Sequence, residues 1–158
     1  GDLFVIRNVA ALVPAVTQAS NPCSVMSAIE YGVKHLNVEH IVVMGHSHCG
    51  GIHGLMTPES IAGETYIQDW VSIASPALER LQAMTGDEDE KTRSRHCEEG
   101  AVLISLDNLL SYPWIAERVK NGQLKLHALY YDLSEGNLYR FSPDSEDFEL
   151  LFHTIENP

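Results

Sequence analysis

The stretch Ile41-Val42-Val43-Met44-Gly45-His46-Ser47-His48-Cys49-Gly50-Gly51 constrains this chain more than any other. A β-branched apolar run breaks at glycine straight into a His-x-x-Cys pair, which reads as a buried strand delivering two metal ligands to the carboxyl end of a sheet. Imidazole nitrogen and thiolate sulfur together suit zinc. Three such mixed ligands with one open position are how a protein turns bound water into hydroxide near neutral pH. Two ligands do not complete a site, and taken alone His46 and Cys49 admit either a metal pair or a turn histidine beside a buried thiol. The remaining cysteines, Cys23 and Cys97, have no second Cys or His at ligand spacing.

Around this motif the pattern alternates strands and helices. Leu3 to Arg7 reads as a first strand, and a polar loop from Thr17 to Asn21 leads to Pro22, suited to the first turn of a helix that runs to about Leu36. Val25, Met26, Ile29, Val33 and Leu36 recur at helical spacing, with Glu30 and Lys34 paired on the other face. His40 to Met44 is the next strand, too apolar to be exposed on either face, so parallel pairing with a right-handed crossover is expected. Residues 64–84 predict two helices or one kinked at Pro76, and residues 92–110 a helix buried in its second half. Pro113 starts another, which Gly122 ends. Leu124 to Leu133 and Leu138 to Phe141, joined by Ser134-Glu135-Gly136-Asn137, predict a hairpin at one edge of the sheet. Phe148 to Ile155 has no clear partner; it fits either pairing across a subunit interface or an edge strand on its own monomer. The fold class is therefore α/β: a mostly parallel central sheet flanked by helices, with a carboxyl-terminal edge hairpin.

Composition decides several negatives. With 158 residues and 44% apolar content the chain is one domain's worth, enough for a sizeable core. Its 10 basic against 22 acidic side chains leave a formal charge of −12, which repels a phosphate backbone and an anionic membrane surface alike. Neither nucleic acid nor membrane is an expected partner, and no apolar run approaches the roughly 20 residues that cross a bilayer. The 3 cysteines fit reduced thiols and metal binding better than a disulfide framework, so a cytoplasmic or organelle-interior setting is expected. Gly1 opens the sequence close to a strand, and the expectation is a domain spanning residues 1–158 that is incomplete at its amino terminus.

Taken together, the blocks resemble a β-class carbonic anhydrase. They are Gly1 to Ala10, Ala28-Ile29-Glu30-Tyr31, His40 to Met44, Gly45 to Gly51, Cys97-Glu98, Ser105 to Leu109, Pro113-Trp114 and His127 to Asp132, in one order through nearly the whole chain. The resemblance implies reversible hydration of carbon dioxide to bicarbonate and a proton, with Zn2+ as cofactor and His46 and Cys49 as ligands. It implies a third ligand, a thiolate from an upstream Cys-x-Asp-x-Arg segment that also carries an Asp-Arg pair, so residues 1–158 alone are expected to be inactive. Ala11 stands where the family usually has asparagine, which puts a local hydrogen bond in doubt.

Other roles follow from the same resemblance. Phe4 and Val9 are expected to line the carbon dioxide pocket, often reached from the partner subunit, although each also fits an ordinary core position. Tyr31 is either a proton-relay or substrate-orienting hydroxyl or a core residue, and the Gly50-Gly51 backbone is expected to orient substrate. Arg7 is read as a salt-bridge partner or as part of a second bicarbonate pocket. His48 is expected to face solvent and His53 to be structural, while Cys23 and Cys97 are small buried hydrophobes. The family works as dimers and larger assemblies, so a homodimer or higher even oligomer is expected. Two rivals stand beside this reading: a carbonyl sulfide or carbon disulfide hydrolase on the same scaffold, and a non-catalytic structural or regulatory homologue.

Overall fold

The computed structural model describes residues 2–19, 23–84 and 86–153. Ser20, Asn21 and Pro22, at the expected helix entry, and Thr154 and Ile155, at the end of the expected tail, lie outside the described residues. The elements are α1 (Ser24–Lys34), β1 (His40–His46), α2 (Gly50–Met56), α3 (Thr65–Val71), α4 (Ser75–Ala83), α5 (Glu90–Leu110), α6 (Pro113–Lys120), β2 (Lys125–Asp132), β3 (Asn137–Ser142) and β4 (Asp147–His153). The helical content follows local chemistry. Pro76 and Pro113 sit in the first turns of α4 and α6, where a missing N–H costs nothing. Asp89 caps α5 by accepting the Thr92 N–H at 2.7 Å, and α1 stops before Asn37, whose φ of +52° continues no helix. Leu36 falls beyond that end and is exposed.

The sheet runs β1-β2-β3-β4. β1 and β2 are parallel, in register from His40 with Lys125 to His46 with Tyr131, while β2–β3 and β3–β4 are antiparallel. The hairpin read from the sequence is β2–β3, and the tail adds β4 outside it, bending through an irregularity between Leu138 and Tyr139. Of the two readings left open for Phe148 onward, the chain takes the edge strand on its own monomer.

Two sequence expectations fail here. Leu3 to Arg7 forms no strand, because a strand exists only through a ladder of hydrogen bonds and no described segment offers one to it. The expected parallel pairing is consequently made by β1 with β2, across α2 to α6. β1 is also not covered on both faces: Val43 and Gly45 are buried beneath α5, but Val42 and Met44 on the opposite face are exposed. Among the described residues, no element covers that second face.

The core has two parts, and α5 belongs to both. Its carboxyl half supplies Val102 and Leu109 to a cluster with Val25, Ile29 and Val33 of α1, Ile115 of α6 and Tyr130 of β2. Farther toward its amino end, Cys97 and Ala101 join a second cluster, where Ile52 and Leu55 of α2, Val71 of α3 and Leu81 of α4 meet Leu12 and Cys49. The turn carrying His46 and Cys49 thus lies where the sheet end meets this second cluster.

Candidate metal centre

Gly45 explains how the turn comes so close to α5. A Cβ there would lie 2.5 Å from Val102 Cγ2, so only glycine lets β1 pass beneath the helix. From His46 to Cys49 every residue is tied to something. His46 Nδ1 lies 2.8 Å from the Ser47 carbonyl oxygen, which can only accept, so Nδ1 carries the proton and Nε2 presents a lone pair to a metal. The Ser47 N–H donates to the Tyr131 carbonyl at 3.0 Å, and its hydroxyl accepts the Leu133 N–H at 2.8 Å. His48 adopts φ +57° and is exposed as expected, its Nε2 3.0 Å from the Ser134 hydroxyl.

Cys49 is buried and ends the turn as the N-cap of α2, with φ −70° and ψ 113°. Its N–H donates to Glu98 Oε1 at 2.9 Å, and Glu98 Oε2 accepts the Tyr130 hydroxyl at 2.8 Å. Sequence reasoning gave Glu98 and Tyr130 no role. A signal was present: Glu98 stands in line with Val102, Ser105 and Leu109 at steps of four, three and four, and all four are buried. A carboxylate on a buried stripe needs partners.

Electrostatics separate the nearby groups. Burial pushes the Cys97 thiol up to about 11, helped by the Glu98 charge, so it stays a neutral hydrophobe at neutral pH. Burial also raises the Tyr130 hydroxyl, which therefore remains a donor to Glu98. The Glu99 carboxyl is raised by burial against the opposing pull of Arg95, whose Nε donates to it at 2.8 Å. Cys23 is only half-buried. A groove of about 360 Å³ runs along the turn, lined by His48, Cys49, His53, Glu90, Ser94 and Glu98.

The other sequence candidates divide into two groups. Val9 belongs with the turn: a Cβ on Gly51 would lie 2.8 Å from Val9 Cγ1, and the Trp70 indole N–H donates to the Val9 carbonyl at 2.9 Å. Gly50 faces open space, with nothing within 4 Å of where its Cβ would be. Phe4 and Tyr31 instead meet each other on α1, with ring centroids 6.2 Å apart, and Tyr31 stacks on His35 at 5.0 Å. Both are about half exposed, and their contacts lie on α1 rather than on the turn. Arg7 is exposed and makes no ion pair among the described residues. His53 is exposed on α2.

The donor set fits zinc as far as it goes. One imidazole with a free Nε2 and one thiol are soft and borderline ligands of the right kind, and no group of three or more His, Cys, Asp or Glu able to hold a metal exists among the described residues.

Comparison with known proteins agrees with this geometry. The family model described as carbonic anhydrase matches residues 1–138. β carbonic anhydrase 5, chloroplastic, of Arabidopsis thaliana is 39% identical over 91% of this chain and 48% of its own length. β carbonic anhydrase 3 of the same plant is 40% identical over 86% of this chain and 54% of its own. The chain thus spans about half the length of these relatives. Among solved structures, that of the β-carbonic anhydrase CcaA superposes with a TM-score of 0.88 at 29% identity, covering 95% of this chain and 72% of that one. One of two tetrameric β-carbonic anhydrases from Sordaria macrospora gives 0.68 at 29% identity, covering 96% and 68%. The strand-to-turn delivery of His46 and Cys49, the α/β fold around it and these matches have one explanation: the chain belongs to the β class of the carbonic anhydrase family.

Proposed function

We propose that the protein catalyses the reversible hydration of carbon dioxide to bicarbonate and a proton, with zinc held by His46, Cys49 and a third ligand from outside residues 1–158. The observation that carries this reading is the pinned turn, in which the Ser47 carbonyl holds the His46 tautomer that leaves Nε2 free while Cys49 sits buried beside it. Zinc in such a site supplies a Lewis acid that brings the pKa of water down to about 7, making a nucleophile available at neutral pH. The third ligand is the thiolate of the family's Cys-x-Asp-x-Arg segment.

The chain's own residues do the rest. Val9, seated on Gly51, provides an apolar wall that favours carbon dioxide over water, and Phe4 extends that wall, in an assembly, from the neighbouring subunit. The backbone at Gly50 and Gly51 orients substrate, and the open space beside Gly50 supports this role. Tyr31 carries a hydroxyl suited to passing the released proton outward. The assembly is a dimer or higher even oligomer; the exposed apolar side chains Leu3, Phe4, Val5, Val42 and Met44 support it, as does the tetrameric state of the Sordaria proteins. Among the described residues no helix is long and apolar enough to cross a membrane, and two of the relatives are named chloroplastic and mitochondrial. The interior of the cytoplasm or an organelle is the proposed setting.

Stopped-flow hydration assays test the proposal. Residues 1–158 alone should show no activity above background even with excess zinc, and a chain extended to include the Cys-x-Asp-x-Arg segment should be active. Turnover of carbonyl sulfide or carbon disulfide in place of carbon dioxide, or activity in the short chain, would overturn it.

A further inference from the structure

Glu98 occupies an unusual position for a carboxylate. It is 5% exposed, and its two oxygens are spent on two different elements, one on the Cys49 N–H and one on the Tyr130 hydroxyl of β2. Arg95, three residues earlier on the same helix, goes elsewhere: it donates to Glu99 and lies against the rings of Tyr130 and Tyr139. Burying a carboxylate on neutral donors alone is costly, and apolar packing at this point would need no charge. The arrangement serves the turn instead. Cys49 is the N-cap of α2, so its N–H is not used by the helix, and its extended backbone differs from the helical residues that follow. Without an acceptor at Oε1, Cys49 is free to join α2, and the side chain would then leave the backbone in a different direction.

We propose that Glu98 is a positioning residue for the metal centre: braced by Tyr130, it fixes the Cys49 backbone so that the thiolate points at the metal before metal arrives. The proposal rests on the reading of His46 and Cys49 as zinc ligands. It assigns Tyr130 a supporting part, because the Tyr130 hydroxyl holds the second oxygen while the next residue, Tyr131, holds Ser47 through its carbonyl. The clamp thus ties the two ends of the turn to adjacent positions of one strand.

The test measures zinc affinity by competition with a chromophoric chelator and records the thiolate-to-metal charge-transfer band of the cobalt(II) form, using the full-length protein. Glu98→Ala should weaken zinc by about 10–100-fold, the range seen when groups supporting a ligand are removed, and should shift the cobalt band. Glu98→Gln should stay close to wild type, because its amide oxygen accepts the Cys49 N–H and its NH2 donates to the Tyr130 oxygen. Tyr130→Phe should fall between them. A folded Glu98→Ala protein with wild-type affinity and spectrum overturns the proposal. If Glu98→Ala does not fold, Tyr130→Phe decides: weakened zinc with a shifted band supports the clamp, and unchanged values overturn it. Absence of stoichiometric zinc in the wild type would instead sink the metal reading itself.

Discussion

The turn at residues 46–49 and the amino-terminal segment are held in opposite ways. Residues 46–49 are each bonded, through backbone or side chain, to β2, to the residues following it, to α5 or to one another. Residues 2–11 carry Leu3 at 82% exposure, Val5 also largely exposed, Phe4 about half exposed, and two successive alanines with positive φ, Ala10 at 60° and Ala11 at 52°. The buried Asn8 Oδ1 has no hydrogen-bond partner among the described residues. The turn is fixed within the monomer, whereas the apolar side chains of the amino-terminal segment are largely uncovered among the described residues.

The largest expected effect lies in the turn. His46→Ala and Cys49→Ala should each reduce zinc from about one per subunit to a small fraction, whereas Phe4→Ala should leave metal content unchanged. Elemental analysis of purified, folded variants makes the comparison, and full zinc in either ligand variant would break it.

Glycine substitutions sharpen the contrast next. Gly45→Ala forces its Cβ against buried Val102 in the tightly packed region and should cost about 1–3 kcal/mol in urea unfolding. Gly51→Ala meets Val9 Cγ1 and Ala10 Cβ at 2.8 and 3.1 Å, but these belong to the looser segment and can give way. Its cost should stay under about 1 kcal/mol. Equal costs would mean that the amino-terminal segment is as firmly held as the core. Gly50→Ala, with open space around it, should be neutral or slightly stabilising.

The turn was legible in the sequence because its signals are local: a β-branched run, a glycine at the point of close approach, and ligand types at fixed spacing. α4, α6 and the β2–β3 hairpin were legible for the same reason, through Pro76, Pro113 and the Ser134 to Asn137 turn. The failures are nonlocal. Leu3 to Arg7 has strand composition, yet a strand needs a neighbour, and composition does not say whether one is present. Val42 and Met44 read as buried because apolarity records what a face prefers and not what covers it. Glu98 was overlooked because its partners, Cys49 and Tyr130, are 49 and 32 residues away in sequence.

Smaller effects test the strained end. Ala11→Asn places a residue that tolerates positive φ where alanine does not, and should raise stability by about 0.5–1 kcal/mol. A chemical denaturation midpoint that falls would argue that the turn at residues 9–11 is not strained in solution. The smallest change is expected for Leu3→Ser, which should alter monomer stability by less than about 0.5 kcal/mol. Sedimentation of the same variant should reveal weaker self-association, because the proposed assembly buries this surface between subunits.

The hydrogen bond from the Leu133 N–H to the Ser47 hydroxyl joins positions 86 residues apart, and it has a consequence for the order of events in folding. The ligand turn can take its final shape only after β2 has docked beside β1, so the helices between them must be collected and a very long loop closed first. On the proposed zinc reading, metal therefore reaches a chain whose slowest search is already over. Zinc should leave the refolding rate unchanged and act almost wholly by retarding unfolding, making it a lock on the finished topology and not a template for reaching it.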